Sequence, residues 1–253
     1  SNEDPKLEEQ YIREFQMRQV DGIVINPTVQ NLALYQKMQG EMYPMVVINR
    51  KIPGLKAHYV VMDNLKGASL AVQHLLKNSR KKVAVVAYRN PNVSAWNERV
   101  VGYREAMLEN GYSHDELRIV FVNEKPGVTQ QEIMNYLLEN PDTDAIFSSN
   151  NMLTLEVIKA IKDLKLRTPQ DIAIVGYDET VWSQHLEPPL TTIMQPGYEM
   201  GRIAAKILIN TVNTKRKIKL QYVVLEPQLI VRDSSGSQNY IGKIGEIHDY
   251  DVQ

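Results

Sequence analysis

Apolar residues in this chain fall in short, nearly unbroken runs that alternate with longer stretches of helical spacing. The runs are Val20–Ile25, Met45–Ile48, Tyr59–Met62, Val83–Val86, Ile119–Val122, Ile146–Ser149 and Ile172–Tyr177. An unbroken run of this length predicts a strand buried on both faces, as in a parallel sheet; a half-exposed strand would alternate instead. Helical spacing covers Pro5–Arg18, Asn31–Met38, Leu65–Lys77, Ala95–Asn110, Thr129–Glu139 and a stretch ending at Leu166. Asp4 precedes Pro5 as an N-cap with proline at the first helical position, and Gly111 stands where a C-cap residue belongs. Strands alternating with helices predict βαβ units, right-handed crossovers and helices on both faces of mostly parallel sheet. The expected fold class is α/β.

The C-terminal part is patterned differently. Gly197–Thr211 is a helix with Met200, Ile203, Ala204, Ile207 and Leu208 on one side. Two short strands, Gln221–Leu225 and Gln228–Val231, follow and are split by Glu226-Pro227. From Ser234 the chain is linker-like, and residues 236–253 read as a tail.

Two of the runs end in polar groups: Ser148-Ser149-Asn150-Asn151 and Gly176-Tyr177-Asp178-Glu179. Ligands of open parallel sheets bind in the crevice outside the carboxyl ends of the strands. Asn150 and Asp178 are therefore placed at the mouth of one crevice. Hydrogen-bonding groups without an obvious nucleophile favour a small-molecule sensor over an enzyme.

Composition narrows this further. The 253 residues carry a formal net charge of −1, which gives no reason to expect a nucleic-acid or anionic-membrane surface. With no cysteine, disulfides, thiolate zinc sites and cysteine nucleophiles are excluded together, which suits a reducing cytosol. Ser1–Glu9 is too polar for a secretory signal, and no apolar run approaches the roughly 20 residues that span a bilayer. His58, His74, His114, His185 and His248 lack metal-ligand spacing, so neither metal nor cofactor is expected. No G-x-S-x-G, P-loop or G-x-G-x-x-G occurs. The basic runs Asn78–Lys82 and Lys215-Arg216-Lys217 read as solvated turns.

Seven segments together resemble one family. They are Val20–Ile25, Val46–Arg50, Asp63-Asn64 with Gly67-Ala68, Asn97-Glu98-Arg99 with Gly102-Tyr103, Ile146–Asn151, Pro169–Asp178 and Pro189–Ile193. In this order they resemble the effector-binding core of LacI/GalR-type bacterial transcriptional regulators, whose fold is shared with periplasmic sugar-binding proteins. The resemblance runs from about Glu3 to Ser235. It has no helix-turn-helix headpiece or hinge helix, and the first strand, helix and second strand of such a core have no counterpart here. A fragment of such a regulator is therefore expected.

The resemblance implies two doubly wound lobes joined by three crossovers, with ligand between them. Carried onto this chain, residues 1–63 with 193–225 form the N-terminal lobe, and 64–192 with 226–235 the C-terminal lobe. It further implies a homodimer that senses a small metabolite, most often a sugar. Operator DNA is then bound only through the absent headpiece. The rivals are a periplasmic sugar-binding protein feeding a transporter, and an enzyme on a doubly wound sheet.

Eight residues are candidates for effector contact. Arg99, early in its helix, can present a fixed fork of donors to sugar hydroxyls or a carboxylate, or else pair with Glu98 or Glu105. Asp178 can accept two hydroxyls at once, or cap the segment after it, while Glu179 reads as solvated. The resemblance puts Asn150 at an effector-contacting place and leaves Asn151 as the helix cap. It also gives Arg50, on the opposite lobe, a role in reaching effector or relaying closure. Asp63 either touches ligand or braces a crossover. Trp96, Asn97 and Trp182 are candidates for the pocket mouth, where a tryptophan can stack on a sugar's apolar face, or they are plain core.

Overall fold

A computed structural model describes residues 1, 3–90, 93–125, 127–214 and 219–236. The expected tail beyond Gly236, the run Lys215-Arg216-Lys217 and His248 lie outside the described residues. Strands β1 (Ile23–Ile25), β2 (Met45–Ile48), β3 (His58–Met62) and β9 (Tyr222–Leu225) form one parallel sheet in the order β1-β2-β3-β9. Strands β4 (Val83–Tyr88), β5 (Arg118–Val122), β6 (Ala145–Ser148), β7 (Ala173–Tyr177), β8 (Thr191–Met194) and β10 (Gln228–Ile230) form the other. Its order is β10-β8-β7-β6-β4-β5, parallel except where β10 runs against β8. The chain passes between the sheets three times: after β3, after β8 and between β9 and β10. Ile193 and Met194 still pair inside the six-stranded sheet, so the chain leaves it after Met194 rather than after Thr192.

The unbroken apolar runs are explained by helices on both faces. Val46, Val60 and Met62 point toward Met200, Ala204 and Ile207 of α7 (Gly197–Asn213). Their neighbours Val47, Tyr59 and Val61 point the other way, toward Ile12 of α1 (Pro5–Met17) and Tyr35 and Met38 of α2 (Leu32–Gly40). In the larger sheet Val83, Val85, Phe147 and Val175 pack under α3 (Asn64–Lys77) and α4 (Ser94–Glu109). Val86, Val122, Ile146 and Ile174 face α5 (Val128–Glu139) and α6 (Asn151–Asp163). Period-two alternation within each strand thus feeds two cores at once.

Helix ends follow local chemistry. Asp4 accepts from the backbone N–H groups of Lys6 and Leu7, which fixes the start of α1. Gly111, just past α4, takes φ +87°, a conformation that costs glycine little. A Cβ on Gly102 would collide with the Leu65 carbonyl, so glycine there lets α4 lie directly on α3. That close packing carries Arg99, one turn earlier, down toward the strand ends. No helix of the described residues is long and apolar enough to cross a membrane.

Candidate functional site

Both sheets send strand ends to one cavity of about 390 Å³. From the four-stranded side it is walled by Glu3 and Arg50, and from the six-stranded side by Tyr88, Trp96, Glu124, Thr129, Asn150 and Glu156.

Arg50 reaches this position because the chain turns sharply after β2. Asn49 takes φ +67°, in the left-handed region that asparagine tolerates better than most residues. The Arg50 guanidinium is buried and forms a two-pronged pair with Glu3, at 2.6 and 2.7 Å. Its Nη1 also donates to the Pro27 carbonyl at 3.2 Å. The guanidinium carbon lies 5.8 Å from the ring centre of Trp96, across the gap between the sheets. Trp96, on the first turn of α4, is nearly buried against Tyr88, with ring centres 5.2 Å apart and planes tilted by 51°. Burial, and then the charges of Glu124 and Glu156, push the Tyr88 phenol up to about 12, so its proton stays in place at neutral pH.

Asn150 lines the cavity and is also the cap of α6. Its Oδ1 accepts from the N–H groups of Met152 and Leu153, at 2.9 and 3.3 Å. The cap expected at Asn151 is therefore at Asn150, because the chain stays extended one residue less than the sequence suggested, and Asn151 opens the helix. The capping bonds use only the Asn150 oxygen; its amide nitrogen is free to face a ligand.

Arg99 lies deeper, 2% exposed, and does not wall this cavity. Its Nε donates to Asn64 Oδ1 at 3.0 Å and its Nη1 to the Ser149 carbonyl at 2.7 Å. Its guanidinium carbon sits 3.6 Å from the Tyr177 ring centre. Neither Glu98 nor Glu105 is its partner. Glu98 instead accepts from Asn64 Nδ2 at 3.0 Å and from Lys51 Nζ at 2.6 Å. Lys51 follows β2, so Lys51–Glu98–Asn64–Arg99 is a chain of contacts from one sheet's strand end to the other's. Burial raises the Tyr177 phenol above its ordinary range, against the pull of Arg99.

The remaining candidates are spread more widely. Asp178, at the end of β7 with φ +71°, accepts from Gln195 Nε2 and is half-buried away from the cavity wall. Asp63 accepts from the Lys66 N–H at 2.9 Å and caps α3, where the chain first crosses between sheets. Asn97 is half-buried and already engaged by a neighbour. Trp182 packs on the apolar cluster under α5 and α6.

Two solvated readings are overturned. Glu179 is tied to Arg232 at 2.7 and 3.0 Å and accepts from Thr192, because β10 returns beside β8 and brings Arg232 over it. In the basic run 78–82, Arg80 Nη2 donates to the Pro169 carbonyl at 2.6 Å. The structure adds Glu3, Tyr88, Glu124, Thr129, Asn151, Met152 and Glu156 to the cavity, and Asn64 as the partner of Arg99. Tyr88 lies two residues past the apolar run Val83–Val86, because β4 extends further than that run; the three glutamates carry no sequence signal of their own.

A family model described as a periplasmic binding protein-like domain matches residues 72–235. The chain is 31% identical over 239 residues to the HTH-type transcriptional regulator DegA of Bacillus subtilis, covering 93% of this chain and 70% of that protein. The chain belongs to the LacI-type regulators. Among solved structures, it is similar to a LacI family transcriptional regulator from Enterococcus faecium with bound ribose. That likeness has TM-score 0.78 and 26% identity, and covers 89% of this chain and 83% of the other. A complex of the transcriptional regulator CelR with cellobiose is 28% identical with TM-score 0.78, covering 89% and 69%. The chain spans 63 to 70% of the length of the first curated relatives it matches.

Membership in the LacI-type regulators decides between the sequence's rivals. DegA, the curated relative named above, is an HTH-type transcriptional regulator, and the two solved structures this chain resembles are transcriptional regulators as well. The cavity opens between the strand ends of the two sheets. Its contents are hydrogen-bond donors, acceptors and an aromatic face, which is the repertoire for holding a ring.

Proposed function

We propose that this chain senses a small carbohydrate in the cavity between Arg50 and the Trp96–Tyr88 pair. Contact is made by Arg50, Trp96 and Asn150 in the wall. Arg99, Asp178, Asn97, Asp63 and Trp182 join or brace the ligand as the lobes close. The lobes are residues 1–63 with 193–225, and 64–192 with 226–235, with the second crossing refined to follow Met194. The carrying observation is the cavity itself: strand ends of both sheets converge on an aromatic pair flanked by side chains that both donate and accept. The ribose and cellobiose bound by similar regulators support the same class of ligand.

A ligand touching both sheets favours whichever lobe arrangement it binds better, and shifts the population only by that difference. In a homodimer of the whole regulator this shift changes how paired headpieces meet two operator half-sites, in the cytoplasm. Effector and DNA then alter each other's affinity by the same factor. The test is a thermal-shift screen of the chain against ribose, cellobiose and other simple sugars. A sugar at 100 times its Kd should stabilise the folded chain by about 2.7 kcal/mol. Trp96→Ala should abolish that shift. A shift that survives Trp96→Ala would place binding elsewhere.

A further inference from the structure

We propose that the cavity takes an uncharged polyhydroxylated ring and rejects its phosphorylated or acidic counterpart. This rests on the carbohydrate reading above and names the ligand class more narrowly.

Three carboxylates, Glu3, Glu124 and Glu156, wall the cavity against one guanidinium, that of Arg50. That guanidinium has both terminal nitrogens held by Glu3 at 2.6 and 2.7 Å, and its Nε, without a partner among the described residues, is buried. An incoming phosphate would have to displace the Glu3 carboxylate to reach it. The second arginine gives no relief: Arg99 is buried under Tyr177 with Asn64 and the Ser149 carbonyl on its nitrogens, and it does not wall the cavity. Lys159 pairs with Glu156 at 2.7 Å, but it approaches from one turn further along the helix, is largely exposed and lies outside the wall. Glu124 accepts one long hydrogen bond from the Asn90 amide, at 3.4 Å, and lies near the Tyr88 hydroxyl.

Hydrogen-bond polarity argues the same way. A sugar hydroxyl both donates and accepts, so it can donate a hydrogen bond to Glu124 or Glu156 and accept one from the Tyr88 hydroxyl or the Asn150 amide. A phosphate dianion only accepts: it can take the Tyr88 hydroxyl or the Asn150 amide, but it gives no hydrogen bond to Glu124 or Glu156 and brings like charge against both. Trp96 and Tyr88 add an apolar face suited to the C–H side of a ring. The cavity, at about 390 Å³, lies near the small end of the range of roughly 300–1,000 Å³ typical of small-molecule pockets.

The test is titration calorimetry on the chain with matched pairs: ribose and ribose 5-phosphate, glucose and glucose 6-phosphate, cellobiose and cellobionic acid. In at least one pair the uncharged member should bind ten times more tightly or better. Glu124→Gln with Glu156→Gln should narrow that gap at least threefold. Raising ionic strength should narrow it in the unaltered chain as well, which keeps the test alive if the double variant folds poorly. Equal or tighter binding of the anionic members overturns the proposal and leaves the carbohydrate reading standing. A gap indifferent to both the substitutions and salt overturns the role of the glutamates. Failure of both members of every pair to bind the folded chain overturns the carbohydrate reading, and this proposal with it.

Discussion

Two arginines stand at facing strand ends, and the chain treats them in opposite ways. Arg50, after β2, meets a carboxylate that is half exposed and a ring across the gap. Arg99, on α4, meets no carboxylate: neutral oxygens from Asn64 and Ser149 and the face of Tyr177 receive it. A charge on the cavity wall can be matched by another charge that remains partly wet. A charge buried in the floor is held by a packed set of dipoles instead, because a buried ion pair returns little of its desolvation cost. The wall pair therefore keeps one side to solvent and ligand while it stays formed, whereas the floor is sealed by packing.

The sharpest way to break this contrast is to remove each arginine in turn. Arg99→Ala strands the acceptors of Asn64 and Ser149 under α4 and empties the space above Tyr177. We expect a loss of about 3–5 kcal/mol, read as a lower midpoint in urea unfolding. Arg50→Ala should cost less, about 1–3 kcal/mol, because Glu3 can turn to water once released and the Pro27 carbonyl loses one long hydrogen bond. Equal losses would mean that the wall is as rigid as the floor.

The same contrast explains what the sequence could and could not disclose. Strand order of chain elements, helix positions and the strand-end rule were legible because continuous apolar runs such as Met45–Ile48 and Val83–Val86 admit few other readings. Arg50, Trp96 and Asn150 reached the cavity wall as strand-end or helix-start residues do. What stayed hidden depends on tertiary placement. Glu124 and Glu156 meet Tyr88 only because β5 pairs with β4 and α6 follows β6, and single glutamates near a helix look solvated in any sequence. The partner of Arg99 was sought among nearby acids, Glu98 and Glu105, yet it is Asn64, 35 residues away. Glu179 was misread for the same reason: its partner Arg232 arrives on the last crossing, 53 residues later.

A smaller effect sharpens the comparison between the two sheets through buried His58 and half-buried His74. His58 begins β3 in the four-stranded sheet, and its Nδ1 accepts from the Gln221 N–H at 3.1 Å. His74, on α3 over the six-stranded sheet, contacts Ser235 Oγ at 2.8 Å. Burial lowers the pKa of both, and Lys77 lowers that of His74 further. Each is therefore neutral when folded at a pH where the unfolded chain already binds a proton, so acid favours unfolding. Stability present above the ordinary histidine value, about 6.5, should be lost as the pH falls through and below it. Between pH 7.5 and 5.5 the chain should lose stability progressively, measured by urea unfolding across a pH series. His74→Gln and His58→Gln should each flatten part of that slope. The wall and floor differ in how charge is held, but both sheets exclude it from their histidines; a slope flattened entirely by one substitution would confine that exclusion to a single sheet.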